Sequence, residues 1–266
     1  MGLLLEDIAV RCDSQNYILE ECIYEIKKIS CSCEAFVLPT YDEYDYSSVS
    51  SLTIKTLEHI YALEIQKIVT ILEGDCCNIN SVLNDVYSSD LACVRKRDPA
   101  CTNYLIPILF FKGFHAICLY RLSNFAWKYG YKNIALFLQN KCTTLLSVDI
   151  HPAATIGSGL FLDHATGIVI GETTVIGDDV SILQNVTLGG TGKDSGDRHP
   201  KVGNGVLLGA GSKVLGNIKV GDYSKIAAGS IVLSDIPRCS TAVGVPAKVV
   251  KQHTQDVPSD TMNQYI

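Results

Sequence analysis

The 266-residue sequence predicts an α+β chain, a helical N-terminal half followed by a parallel β-helix. Three observations carry that expectation. Up to about residue 148 apolar residues recur at helical spacing. From Ile150 onward aliphatic residues return every six positions. That beat breaks twice, each time at a polar segment holding a histidine.

The helical elements follow in order. "LTIKTLEHIYALEIQKIVTILEGD" (52–75) sets Leu52, Leu57, Ile60, Leu63, Ile65, Ile68 and Leu72 mostly three to five apart and stops at Gly74, which predicts one helix. A second is predicted over 81–101, ending near Pro99, then others over 107–130 and 132–148. "VLPTYDEYDYSSVSS" (37–51) is polar and turn-rich and reads as an exposed loop.

After Asp149 the spacing changes. Ile150, Ile156 and Leu162 form one run; Ile170, Ile176, Ile182 and Leu188 a second; Val202, Leu208, Val214, Val220, Ile226 and Val232 a third. Every step within a run is six residues. In a parallel β-helix each six-residue unit forms one flat side of a prism and turns its aliphatic residue inward. Three sides make a coil of eighteen residues, so the runs predict four to five stacked coils.

The breaks lie between Leu162 and Ile170, where two extra residues enter at "DHATGIV", and between Leu188 and Val202, where "GGTGKDSGDRHPK" is inserted. Loops held by a rigid scaffold are where chemistry concentrates. His151, His164 and His199 lie at or near these breaks.

Composition narrows the class. Hydrophobic residues make up 47% and charged residues 19%, as in a soluble globular protein. A net charge of −6 and a pI of 5.5 argue against nucleic acid or an anionic membrane as the main partner. The most apolar stretch (104–120) is interrupted by Lys112 and His115, which favours a buried helix over a membrane span. "MGLLLEDIAV" lacks the basic start of a secretion signal, and eleven cysteines without one read as reduced thiols in the cytoplasm. Cys31-Ser32-Cys33 and Cys76-Cys77 lack C-x-x-C spacing, so no metal is expected there.

"DPAC" (98–101), "KGFHA" (112–116), "VDIHPAATIG" (148–157), "LDHATGIVIGETTVIGDDVSILQNVTLGGTG" (162–192), "GDRHPKVGNGVLLGAG" (196–211) and "GVPAKVV" (244–250) together resemble the serine acetyltransferase family. The resemblance covers residues 95–250; before residue 90 it extends only to helical character. It implies a helical domain (1–148), a left-handed parallel β-helix of hexapeptide repeats (149–250) with a protruding loop, and a C-terminal tail (251–266). The implied reaction moves acetyl from acetyl-CoA to the hydroxyl of L-serine, giving O-acetyl-L-serine and CoA for L-cysteine biosynthesis.

Such a transfer needs a base to take the hydroxyl proton, and an imidazole suits neutral pH. His164 is the candidate, with Asp149, fifteen residues upstream, implied as the carboxylate that orients it. The plain alternative is a histidine capping the prism edge. Asp98 and Asp163 resemble the family's ammonium-binding carboxylates; Asp98 taken alone reads as a helix-end residue before Pro99. Arg198 and His199 resemble the groups that hold the substrate carboxylate, and a guanidinium fork fits that anion. Gly190, in "LGGTG", is the candidate oxyanion donor. The resemblance places CoA against Ala210 and Ala228, with Lys248 as phosphate partner or simple surface lysine. His151 reads as structural.

A trimer is implied as the catalytic unit, with two trimers meeting through the helical halves. L-Cysteine, an isostere of serine, is expected to inhibit at the same site. The terminal Ile266 is expected either to dock in O-acetylserine sulfhydrylase or to be an idle tail. Competing readings are an acetyltransferase for a sugar or antibiotic hydroxyl, a β-helix carbonic anhydrase binding zinc through His151, His164 and His199, and an inactive scaffold.

Overall fold

The structure, a computed structural model, describes residues 3–30, 47–74, 78–192, 195–253 and 257–265. Seven helices come first: α1 (Leu3–Ser30), α2 (Val49–Tyr61), α3 (Ile65–Glu73), α4 (Ile79–Arg97), α5 (Leu105–Phe110), α6 (Lys112–Lys128) and α7 (Lys132–Leu146).

Their boundaries correct the sequence expectation in three places. The stretch 52–75 is two helices, because Ala62 turns left-handed (φ 50°) and ends α2. Leu63 and Ile65 are both buried; two positions apart, they would face different sides of one helix, and the turn lets both reach the core. The stretch 107–130 is likewise split at Phe111, which is extended (φ −90°, ψ 102°). This re-aims α6 so that Gly113 seats on the Leu162 carbonyl, where any Cβ would overlap the oxygen. Of the expected loop 37–51, residues 49–51 belong to α2, whose cap is Ser48 Oγ accepting from the Ser51 N–H; residues 31–46 lie outside the described residues.

From Val148 the chain winds through a three-sided parallel prism. One face, here face A, stacks β1 (Val148–Ile150), β4 (Ile168–Ile170), β7 (Thr187–Gly189), β10 (Lys213–Leu215) and β13 (Ile231–Val232). Face B stacks β2 (Thr155–Ile156), β5 (Val175–Ile176), β8 (Lys201–Val202) and β11 (Lys219–Val220). Face C stacks β3 (Phe161–Leu162), β6 (Ser181–Ile182), β9 (Leu207–Leu208), β12 (Lys225–Ile226) and β14 (Ser240–Gly244).

All thirteen hexad residues point inward and none is more than 9% exposed. They stack in register with their own kind: Ile150 on Ile170, Ile156 on Ile176 on Val202, Leu162 on Ile182 on Leu208. Burying each aliphatic side chain stabilises the column by about 1.5–3 kcal/mol before chain entropy is counted. The column ends differently from the repeat. β15 (Ala247–Gln252) turns back and pairs antiparallel with β14, a ribbon that the six-residue period does not announce.

Asp90, Arg121 and Tyr120 are among the side chains that fasten the helices to the first coil. Asp90 on α4 and Arg121 on α6 form a buried pair (2 contacts, 3.0 and 3.1 Å). Asp90 also accepts from the Leu160 N–H, while Arg121 donates to the carbonyls of Ile156 and Gly157. Tyr120 Oη donates to the Ala154 carbonyl (2.6 Å). Breaking such a buried pair from one side costs roughly 3–5 kcal/mol. The joint is therefore rigid, and it sets the end of α4 beside the coil that carries the Asp-His segment. Among the described residues no helix is long and apolar enough to cross a membrane. Cys22, Cys93, Cys101, Cys118, Cys142 and Cys239 carry free thiols.

Candidate active site

The first break is a tight turn at the edge between faces C and A. His164 and Ala165 are both left-handed (φ 56° and 61°), a conformation that non-glycine residues adopt only when their surroundings enforce it. Here the Thr166 N–H donates to the His164 carbonyl, the Gly167 N–H to the Ser147 carbonyl, and the Asn185 N–H to the Thr166 carbonyl. Lys112 Nζ adds a bond to Thr166 Oγ1. The turn buries Ala165 and pushes the His164 imidazole outward, leaving its side chain 73% exposed.

Asp163 Oδ1 lies 3.7 Å from His164 Nε2. Partial burial holds the Asp163 carboxyl above its ordinary value; His164 pulls it down and Asp98 pushes it up again. Asp98, at the C-terminal end of α4, is thus near enough for its charge to act on Asp163. Asp149 sits on β1 with its carboxylate accepting from Gln139 Nε2 (2.7 Å). No hydrogen bond or ion pair joins it to His164 among the described residues.

The second break stands at the opposite edge of face A. Thr173 holds its foot. Thr173 Oγ1 accepts from the N–H groups of Arg198 and His199 (3.0 and 3.1 Å) and lies 2.9 Å from His199 Nδ1. The Thr173 N–H also donates to Nδ1 (3.2 Å), so Nδ1 is an acceptor and the neutral ring carries its proton on Nε2. Burial, with Arg198 second, lowers the His199 pKa and keeps the ring neutral. The Cδ2–Nε2 edge of the ring lies against Gly171, where a Cβ would overlap it. Arg198 Nη2 donates to Glu172 (2.8 Å) and Nη1 to the Gly196 carbonyl (3.1 Å), leaving N–H donors over for a further anion. Gly190 lies beside the Arg198 stem, and among the described residues nothing takes up its N–H.

One chain thus carries two separate groups of candidate residues. Asp98, Asp163 and His164 share the C–A edge; Gly190, Arg198 and His199 share the A–B edge, with His151 and Glu172. The width of face A, strand β4 with its flanking turns, separates Thr166 from Glu172. His151, His164 and His199 therefore do not converge within the chain. Among the described residues no group of three His, Cys, Asp or Glu side chains is placed to hold a metal ion.

Ala210 and Ala228 continue the C–A edge along the column, as the bonds from Gly211 to Gln184 and from Gly229 to Ala210 show. Lys248 is exposed on β15 at the far end. Ile266 lies outside the described residues.

Sequence reasoning missed five residues here: Gln139, Glu172, Thr173, Gln184 and Arg97. Gln184 occupies the rung between the His164 turn and Ala210, and its buried Oε1 has no partner. For Glu172, Thr173 and Gln184 the signal is the coil pitch. Glu172 and Arg198 are 26 residues apart and meet only because the second break, a step of fourteen residues in place of six, loops out the excess between adjacent rungs.

Comparison with known proteins bears on the same segments. A family model described as "Serine acetyltransferase, N-terminal" matches residues 55–118, and "Bacterial transferase hexapeptide (six repeats)" matches 199–234. The serine acetyltransferase of Haemophilus influenzae is 55% identical over 186 residues, 70% of each chain. That of Buchnera aphidicola is 46% identical over 89% of this chain and 86% of its own. The matches to the Salmonella typhimurium and Escherichia coli enzymes span 64% of those proteins. A solved serine acetyltransferase in complex with cysteine superposes with a TM-score of 0.84 at 43% identity, covering 94% of this chain and 98% of that one. With identities of 46% and above over 70–89% of its length, the chain belongs to the serine acetyltransferase family.

Proposed function

We propose that the chain transfers the acetyl group of acetyl-CoA to the hydroxyl of L-serine, at a site built from the C–A edge of one chain and the A–B edge of its neighbour. The observation that carries this reading is the 2 half-sites on opposite edges of face A. A three-sided prism packed about a threefold axis sets unlike edges of adjacent chains together. A trimer would then hold three sites, and a dimer of trimers through the helical halves would add none.

In this reading Asp98 and Asp163 hold the substrate ammonium. Arg198, with the Nε2–H of His199, holds its carboxylate. His164 takes the hydroxyl proton as the serine oxygen attacks the thioester carbon. The oxyanion meets the free N–H of Gly190. Collapse breaks the carbon–sulfur bond, and the departing thiolate recovers the proton from His164. Asp149 serves as the orienting carboxylate once the exposed ring turns toward it and away from Asp163. Acetyl-CoA lies along Ala210 and Ala228 with Lys248 at its phosphates.

Other family members support these ligands by what they were solved with: cysteine in one, coenzyme A in the Brucella abortus protein, and serine in the Neisseria gonorrhoeae protein. L-Cysteine, differing from serine in one atom, inhibits by filling the serine pocket. A CoA-dependent enzyme with unpaired thiols suits the cytoplasm. Ile266 is proposed to dock in O-acetylserine sulfhydrylase, and deleting it should abolish that binding.

The test measures CoA thiol release from acetyl-CoA. L-Serine should drive it and L-cysteine should compete with serine. Ethanolamine, which lacks the carboxylate, should be a poor acceptor. Release that does not depend on serine overturns the reaction. The shared site has its own test: co-expressed His164→Ala and Arg198→Ala chains should regain activity in about a quarter of sites. Two inactive variants that stay inactive when mixed overturn the intersubunit arrangement.

A further inference from the structure

Arg97 is the last residue of α4, and its side chain is fully buried. Its guanidinium reaches three places. Nη1 donates to the Gly159 carbonyl (2.9 Å) and lies 3.4 Å from Ser181 Oγ; Nη2 donates to Asp179 (2.9 Å). Nε donates to Asp260 Oδ1 (2.9 Å), on the short C-terminal helix α8 (Pro258–Thr261). The other oxygen of Asp260 accepts from Lys96 Nζ (2.6 Å), and the Ser259 carbonyl accepts from Ser181 Oγ (2.8 Å).

The next residue after Arg97 is Asp98. Gly159 lies four residues before Asp163 on the same coil. Arg97 therefore pins the helix end that carries one carboxylate to the coil that carries the other. Asp260 is the least exposed of the two carboxylates that balance the guanidinium (side chain 26% exposed, against 60% for Asp179). Among the described residues the Asp98 carboxylate itself is hydrogen-bonded only to the Ala100 N–H (2.8 Å), so its place follows the α4 end.

We infer that Asp260 is a positioning residue for the ammonium site, acting through Arg97 to fix the spacing of Asp98 and Asp163, so that the C-terminal segment sets the affinity for the amino-acid substrate. This rests on the reading of Asp98 and Asp163 given above. It assigns Asp260 no contact with substrate.

The test uses full-length Asp260→Asn. Its KM for L-serine should rise roughly fivefold while kcat and the KM for acetyl-CoA stay at wild-type values. Asp260→Glu, which restores the charge, should recover most of the loss and also serves if the asparagine variant does not fold. Lys96→Met removes only the exposed partner of Asp260 and should leave the serine KM unchanged. Equal rises in both KM values, or a lowered melting temperature with serine KM unchanged in both Asp260 variants, overturn the inference. Serine binding to the variants by calorimetry reads the same effect without turnover. A wild-type chain inactive toward serine would instead refute the proposed function.

Discussion

The two breaks in the prism treat the same residue type in opposite ways. At the short one, two added residues and two left-handed backbone angles expel an imidazole into solvent, 73% exposed. At the long one, the imidazole is folded back under its loop, with His199 7% exposed and two groups of Thr173 on its Nδ1. A short excursion has no chain to spare for covering a side chain; a long one must anchor its foot or lose its shape. The first imidazole is therefore open to solvent, and the second is tied at Nδ1 to the foot of its loop.

The largest expected effect tests that division. His164→Ala should lower kcat by about 10²–10⁴ with the melting temperature nearly unchanged, since an exposed side chain contributes little to stability. His199→Ala should lose both activity and about 1–3 kcal/mol of stability, because it strands the Thr173 donors. Parallel thermal melts and initial rates separate the two. Equal destabilisation by both variants would erase the distinction.

His115 sets the scale for a fully buried ring. Nε2 donates to the Ile108 carbonyl (2.8 Å), Nδ1 accepts from Tyr61 Oη (2.7 Å), and burial lowers its pKa to about 4. Because the folded value is depressed below the unfolded 6.5, the unfolded chain binds the proton first as pH falls. Stability is full above pH 6.5 and declines toward pH 4, by about 3 kcal/mol. Denaturant titrations at pH 7 and pH 4.5 should show a smaller pH effect in His115→Gln than in wild type.

These contrasts also mark what the sequence can carry. The thirteen hexad residues were legible because an inward position admits one residue class and repeats without exception. The two breaks were legible as interruptions of that repeat. Helix ends were not: Leu63 and Ile65 continue a plausible helical spacing, and only the demand that both be buried splits α2 from α3. Within the candidate site, the residues with ionisable chemistry stood out, while their partners did not. Asp149 carries no mark of its bond to Gln139, which depends on how α7 docks on the first coil, and Glu172 none of its pairing with Arg198, which depends on how far the chain climbs per coil.

The loop foot offers the next effect in size. Thr173→Val keeps the shape of the side chain but removes an oxygen that serves two backbone N–H groups and the His199 ring. The KM for L-serine should rise about tenfold with kcat little changed, and Thr173→Ser should restore it. A fall in kcat at constant KM would mean that the loop acts on the reacting atoms and not on substrate binding.

The smallest effect has the least intuitive sign. Glu172 lies against Arg198 where a substrate carboxylate is proposed to bind, and that hydrogen bond lowers the Glu172 pKa, so it is ionised at neutral pH and competes for the same donors. Arg198 has other anchors in its own N–H at Thr173 and its Nη1 at Gly196. Glu172→Gln removes the competing charge and leaves those anchors in place. The serine KM should fall about threefold, and L-cysteine should inhibit more tightly by a similar factor. A rise in KM would show instead that Arg198 needs Glu172 to hold its fork in position. The long break would then depend on an ion pair as much as on Thr173.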